Sequence, residues 1–189
     1  MQITSATFVR GLVGPADRLD DTIPQVAFIG RSNAGKSTLL NSLTNSKKLA
    51  ITSKTPGRTK EINVFLVNQT HYFMDLPGYG YAKASGETRT ALLDLILWYL
   101  FESGYTPTIV QLIDATVGPT KADLELLKAL QEAGATIVIV ANKVDKIKKS
   151  VYHKQLKELA RQLPGHQIVP YSSNTGVGKQ ELTDIVLAT

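Results

Sequence analysis

Short apolar runs alternate along the chain with longer stretches in which apolar residues return every three or four positions. That alternation is the pattern of strands buried in a sheet and helices laid against it. Val26-Ala27-Phe28-Ile29 reads as the first clear strand, followed by a glycine-rich turn and a helix from Lys36 to Leu43. A polar loop from Asn45 to Lys60 comes next, then two β-rich runs, Ile62 to Val67 and His71 to Leu76. The link between them, Asn68-Gln69-Thr70, is short enough for a hairpin, so one strand is expected to run antiparallel to the rest.

A second glycine-rich loop, Gly78 to Gly86, precedes a helix expected from Glu87 to Glu102. Ile109 to Ile113 reads as a buried strand and Lys121 to Glu132 as an amphipathic helix. Thr136 to Ala141 is almost entirely β-branched, as a central parallel strand should be. A helix from Val151 to Gln162, a strand from Gln167 to Val169 and a helix from Lys179 to Leu187 complete the pattern. It predicts an α/β fold: a mostly parallel six-stranded sheet with one antiparallel edge strand and helices on both faces. The 189 residues suit one domain, 1–189, with a short extension before residue 25.

Composition narrows the chemistry. The chain has no cysteine, which excludes disulfides and thiolate metal sites. Its three histidines (His71, His153, His166) lack the spacing of metal ligands. No apolar run reaches the length of a bilayer span, and Met1 to Leu12 lacks the apolar stretch of a signal peptide. A soluble, cytoplasmic, monomeric protein is expected. The formal charge of +5 permits an acidic partner such as RNA without requiring one.

Four segments follow strands, where ligands of open α/β sheets collect. Gly30-Arg31-Ser32-Asn33-Ala34-Gly35-Lys36-Ser37 is a complete phosphate loop leading into a helix. Its glycines let backbone N–H groups wrap phosphates, Lys36 reaches the β and γ oxygens, and the Ser37 hydroxyl is the expected magnesium ligand. Asp75-Leu76-Pro77-Gly78 supplies a carboxylate for magnesium, through water, and the Gly78 N–H for a γ-phosphate. Asn142-Lys143-Val144-Asp145 offers Asp145 to the paired N–H donors of guanine, a match that adenine cannot make, with the Lys143 stem along the base. The fourth segment, Ser172-Ser173-Asn174, follows the last short strand. Between the first two lies Thr55-Pro56-Gly57-Arg58-Thr59-Lys60-Glu61, where a threonine could complete the magnesium shell only with GTP bound; Thr59 is preferred over Thr55.

These segments resemble the translation-factor class of GTPases and, more narrowly, the EngB (YihA/YsxC) family of bacterial ribosome-assembly GTPases. The likeness rests on Ala27 to Ser37, on Thr55 to Thr59 and above all on Asp75-Leu76-Pro77-Gly78-Tyr79-Gly80-Tyr81-Ala82. It implies a three-layer, Ras-like G domain that binds GTP and GDP with magnesium at Ser37 and Thr59. It sets the nucleotide against residues 30–37, against Gly57, Arg58, Thr59, Lys60 and Glu61, and against residues 75–78, 142–145 and Tyr171-Ser172-Ser173. The Ser172 loop then gives a backbone N–H to the guanine oxygen. The resemblance further implies a part in assembling the large ribosomal subunit from rRNA and ribosomal proteins, with effects on cell division and septation.

Ras-like enzymes orient the attacking water with a glutamine where this chain has Tyr79. Unaided hydrolysis is therefore expected to be slow, on the order of 10⁻⁴ to 10⁻² per second, with Lys36, Thr59 and Gly78 acting on the phosphates. Help would come from a partner or from potassium held by Asn33. Lys47, Lys48, Lys54, Arg58 and Lys60, with Lys146, Lys148 and Lys149, are candidate RNA contacts, and Tyr79, Tyr81 and Trp98-Tyr99 are candidate stacking residues. Helix packing is the preferred role of the last pair. The competing readings are a small-molecule kinase, which Asn142 to Asp145 argues against, a tRNA-modifying G domain and a septal scaffold.

Overall fold

The computed structural model describes residues 1–17, 19, 22–46, 48–50, 61–80 and 86–189. Seven strands form one sheet: β1 (Ala6–Leu12), β2 (Gln25–Gly30), β3 (Ile62–Val67), β4 (His71–Asp75), β5 (Thr108–Asp114), β6 (Ile137–Asn142) and β7 (Gln167–Tyr171). Their spatial order is β1-β3-β4-β2-β5-β6-β7. β2 lies between β4 and β5, and the order reverses around it, which puts the loop after β2 at a topological switch point.

The expected antiparallel strand is β3, joined to β4 by the hairpin at Asn68-Gln69-Thr70. Asn68 and Gln69 both take positive φ, 51° and 58°, the geometry of a tight turn whose twist matches that of its strands. The strand count is corrected from six to seven, because residues before 25 supply β1 along the outer side of β3. Of β1 only Leu12 is buried, so no apolar period announces it. Its register slips between Phe8 and Arg10, a bulge of the kind that blunts an edge against further pairing. Phe8 meets Phe65 edge to face at 5.9 Å and holds the strand down.

Among the described residues five helices cover the sheet: α1 (Lys36–Leu43), α2 (Gly86–Leu97), α3 (Lys121–Glu132), α4 (Tyr152–Gln162) and α5 (Lys179–Val186). Alternate residues of β2 face opposite layers, Val26 and Phe28 against α1 and α5, Ala27 and Ile29 against α2 and α3. Helix α2 runs on into a wide π turn, Trp98–Glu102, instead of remaining α-helical to Glu102. There Trp98 and Tyr99 are buried, so they pack rather than stack on a partner. Beyond β6, α4 closes a third apolar cluster by setting Leu156, Leu159 and Tyr152 against Ile139 and Ala141.

Candidate functional site

The phosphate loop turns where the sequence placed it. Asn33 and Gly35 take left-handed conformations, φ 67° and 99°, and successive backbone N–H groups in such a curl form an anion-binding concavity. Helix α1 starts without a side-chain cap, leaving its first N–H groups for a ligand. The loop tolerates no bulk: a Cβ on Gly35 would lie 2.4 Å from the Asn142 amide nitrogen. One on Gly30 would lie 2.9 Å from the Leu112 carbonyl oxygen.

At the end of β4, Asp75 is buried and its carboxylate is paired with the Lys36 ammonium. Each side chain thus neutralises the other at the place where phosphate and a cation would meet. Ser37 lies in the first turn of α1 beside them. A hydroxyl, a carboxylate and a lysine converging on a nest of N–H groups suit a triphosphate and one magnesium ion. Gly78 crosses directly over the loop, where a Cβ would lie 3.2 Å from the Ser32 backbone nitrogen. Thr55, Gly57, Arg58, Thr59, Lys60 and Tyr81 lie outside the described residues, as do Lys47, Lys54 and Ala82. Glu61 is half-buried just before β3, beside Gly11 of the edge strand.

Tyr79 has a role the sequence reading missed. Its N–H donates to the Gly30 carbonyl at 3.3 Å and its carbonyl accepts from the Ser32 N–H at 2.9 Å, so it is stitched to the phosphate loop. Its phenol is buried and donates to Asp123 Oδ1 at 2.6 Å, while Gln111 Nε2 donates to the phenolic oxygen at 3.3 Å. Burial first, and then the Asp123 carboxylate, push the phenol's pKa far up, so it stays a neutral donor. The stacking role expected of Tyr79 is thereby corrected: the ring is covered and its hydroxyl is engaged. Asp123 also caps α3, accepting from the Thr120 N–H and Oγ1, both at 2.7 Å.

The base end is built from two neighbouring strand ends. Asn142, buried at the end of β6, donates from Nδ2 to the Ala34 carbonyl at 2.8 Å. Lys143, in a left-handed conformation (φ 66°), donates from Nζ to the Asn33 carbonyl at 2.6 Å and to Asp114 Oδ2 at 2.7 Å. Burial pushes the Asp114 carboxyl up, but hydrogen bonds from Lys143 and Thr116 outweigh it and hold the pKa below the ordinary value. Asp114 carries no motif of its own and emerges only from the fold. Val144 is buried beneath the turn and anchors it.

Asp145 is exposed, with both oxygens already oriented: Oδ1 accepts from Ser172 Oγ at 2.7 Å and Oδ2 from Asn174 Nδ2 at 2.9 Å. The Ser172 bond first, and the Asn174 bond second, lower its pKa, so the group is a fixed carboxylate. The Asn174 amide thus serves Asp145 itself, a role the Ser-Ser-Asn spelling does not announce. Ser172 is buried, Ser173 has a buried hydroxyl with no protein partner, and Tyr171 reaches back to donate to Ser42 Oγ at 3.0 Å. The fold therefore gathers residues 30–37, 75–78, 142–145 and 171–174 at the carboxyl end of the sheet.

A family model described as "50S ribosome-binding GTPase" matches residues 25–143. The chain is 41% identical, over 98% of its own length and 93% of the relative's, to the "Probable GTP-binding protein EngB" of Desulforamulus reducens. Against the Clostridium perfringens protein of the same description it is 39% identical, with 97% and 95% covered. In fold it resembles the crystal structure of a probable GTP-binding protein engB, with a TM-score of 0.71 at 24% identity, covering 87% of this chain and 97% of that one. It also resembles Era in complex with MgGDPNP and nucleotides 1506-1542 of 16S ribosomal RNA, with a TM-score of 0.70 at 29% identity, covering 87% of this chain and 56% of that one. A sheet whose phosphate and base loops meet at one end, in a chain so close to these relatives along its whole length, belongs to the EngB family of GTP-binding proteins and is a GTPase.

Proposed function

We propose that this GTPase is a cytoplasmic guanine-nucleotide switch. It docks on the large ribosomal subunit or its precursor while GTP is bound and leaves after hydrolysis. Through that step it serves subunit assembly and, by consequence, cell division and septation. The observation that carries this reading is Asp145, an exposed carboxylate held by Ser172 and Asn174 at the same end of the sheet as the phosphate nest. Guanine presents two adjacent N–H donors to such a group and adenine does not. The family model's description, a 50S ribosome-binding GTPase, supports the large subunit as partner, and the Era structure with 16S ribosomal RNA supports RNA contact by this fold.

The residues divide the work. Residues 30–37 bind the phosphates, Lys36 placing its charge on the β and γ oxygens, and Gly78 offers its N–H to the γ-phosphate. Ser37, Asp75 and Thr59 would hold magnesium, which would supply positive charge to offset that of the phosphates. Gly57, Arg58, Lys60 and Glu61 contact the nucleotide, as the family resemblance implies. Lys143 lies along the base, Asp145 reads it, and the Tyr171-Ser172-Ser173 turn closes behind its oxygen. Filling the site requires Lys36 and Asp75 to part, since each has a new partner in the bound state. With Tyr79 tied to Asp123, no side chain at that position orients water, so unaided turnover is slow and a partner's charge accelerates it. Potassium, held by Asn33, is a second accelerator, and hydrolysis at equal rates in potassium and sodium with ribosomes present removes it.

Sedimentation of the purified protein with ribosomal subunits tests the switch. The expected result is binding to large-subunit particles with a non-hydrolysable GTP analogue and its loss with GDP. Equal binding, or none, in both nucleotide states overturns it.

A further inference from the structure

Charge is distributed unevenly in this chain. The segment from Lys146 to Gln162 holds six cations (Lys146, Lys148, Lys149, Lys154, Lys157, Arg161) and one acid, Glu158. Six minus one gives +5, and the whole chain, with 21 basic and 16 acidic residues, is also +5. The other 172 residues are therefore balanced, fifteen against fifteen. All six cations are exposed, and among the described residues only Arg161 is in an ion pair, with Glu158 at 2.7 Å.

Helix α3, on the same side of the sheet, sets the standard for an idle surface. Its exposed lysines are matched one for one, Lys121 with Glu125 at 3.6 Å and Lys128 with Glu132 at 3.8 Å. Such i,i+4 pairing solubilises a helix without leaving a field. The turns before α4, and α4 itself, do the opposite, holding six like charges together at a cost in repulsion that Glu158 and the neighbouring Asp145 offset only in part.

The chemistry of the patch selects its partner. The cations are almost all lysines, point charges suited to phosphate oxygens rather than to base edges. Tyr152 is half-buried, with its ring edge to face against His153 at 5.5 Å, and it offers no open face to an unstacked base. The apolar side of α4 packs against Ile139 and Ala141, and the exposed Val151 and Val117 beside it are too small an apolar area to insert among lipid chains. A polyanion read by its backbone fits best, and A-form RNA is recognised in that way.

We propose that the outer face of α4, with the lysine turns leading into it, is a docking surface for the phosphates of double-helical RNA. It grips duplex RNA in the GDP and GTP states alike, too weakly by itself to hold the protein on the subunit. The face begins one residue beyond Asp145, beside the base loop, and away from the γ-phosphate contacts that would make it nucleotide-dependent. It rests on the ribosome reading for its partner and adds a constant foothold to the switched one.

The test compares Lys154→Gln/Lys157→Gln with the matched control Lys121→Gln/Lys128→Gln. Binding is measured to a short RNA duplex, to the same sequence as a single strand, to phosphatidylserine vesicles and to large ribosomal subunits, over a salt series and with GDP or a GTP analogue. The α4 variant is expected to bind duplex roughly tenfold more weakly in both nucleotide states, and subunits roughly tenfold more weakly with the GTP analogue, with a salt slope lower by roughly 1.5 to 2. The α3 control and the hydrolysis rate of the unassisted protein stay unchanged. An unaltered slope in the α4 variant, an equal loss in the control, or tighter binding to vesicles than to duplex overturns the proposal. If the unmutated protein binds duplex through α4 but no ribosomal subunit, the docking face stands and the ribosome reading falls.

Discussion

The two ends of the nucleotide site are prepared differently. At the base end every polar group that would read guanine is already positioned by the protein: Asp145 by Ser172 and Asn174, Lys143 by Asp114 and Asn33, Asn142 by Ala34. At the phosphate end the two most strongly charged groups, Lys36 and Asp75, are paired with each other. On the proposed reading a ligand would seat its base without rearrangement but would break an ion pair to seat its phosphates. Recognition and switching would then fall to different strand ends, and only one of them would need to move.

The largest expected effect is at the phosphate end. Replacing Asp75 with Asn leaves the largely covered Lys36 ammonium without its counter-charge and should lower unfolding stability without nucleotide by about 2–4 kcal/mol. Urea titration measures this, and a loss below about 1 kcal/mol would mean that the pair does not organise that end. At the base end Asp145→Ala should leave the fold alone and reduce preference for GTP over ATP by at least about 100-fold. Competition against a fluescent-labelled GDP reads the ratio; an unchanged ratio would mean that the fixed carboxylate does not do the reading.

Tyr79→Phe probes the seam between the ends, since it removes the donor to buried Asp123 and keeps the ring. A loss of about 1–3 kcal/mol is expected in the same titration, without change in base preference. The smallest effect belongs to Asn174→Ala. The carboxyl of Asp145 is held below its ordinary range by Ser172 and then Asn174, so its ionised form is present above that lowered pKa and is lost only as pH falls through it. Removing Asn174 should move the acid limb of GDP binding to higher pH and weaken affinity by a few-fold near neutrality. Binding curves taken at descending pH settle the direction, and an acid limb that stays in place breaks the assignment.

What could be read from the sequence follows from what local spacing encodes. Gly30 to Ser37 and Asn142 to Asp145 are legible because each is a run whose glycines, amide and carboxylate must sit at fixed offsets for the chemistry. The Lys36–Leu43 and Lys121–Glu132 helices have the expected bounds, since period and flanking residues agree. The connections between runs were not legible. Asp114 and Lys143 are 29 positions apart and Tyr79 and Asp123 are 44 apart, and only the sheet order brings them together. Strand β1 escaped for another reason: an edge strand whose side chains are mostly exposed carries no periodic apolar signal.

The bonds from Asn142 to Ala34 and from Lys143 to Asn33 have one more consequence. They tie the loop that would read the base to the loop that would wrap the phosphates, so the spacing between those loops is set by the protein alone. On the proposed reading the site would act as a gauge, sorting ligands by the length of the phosphate chain as well as by the identity of the base.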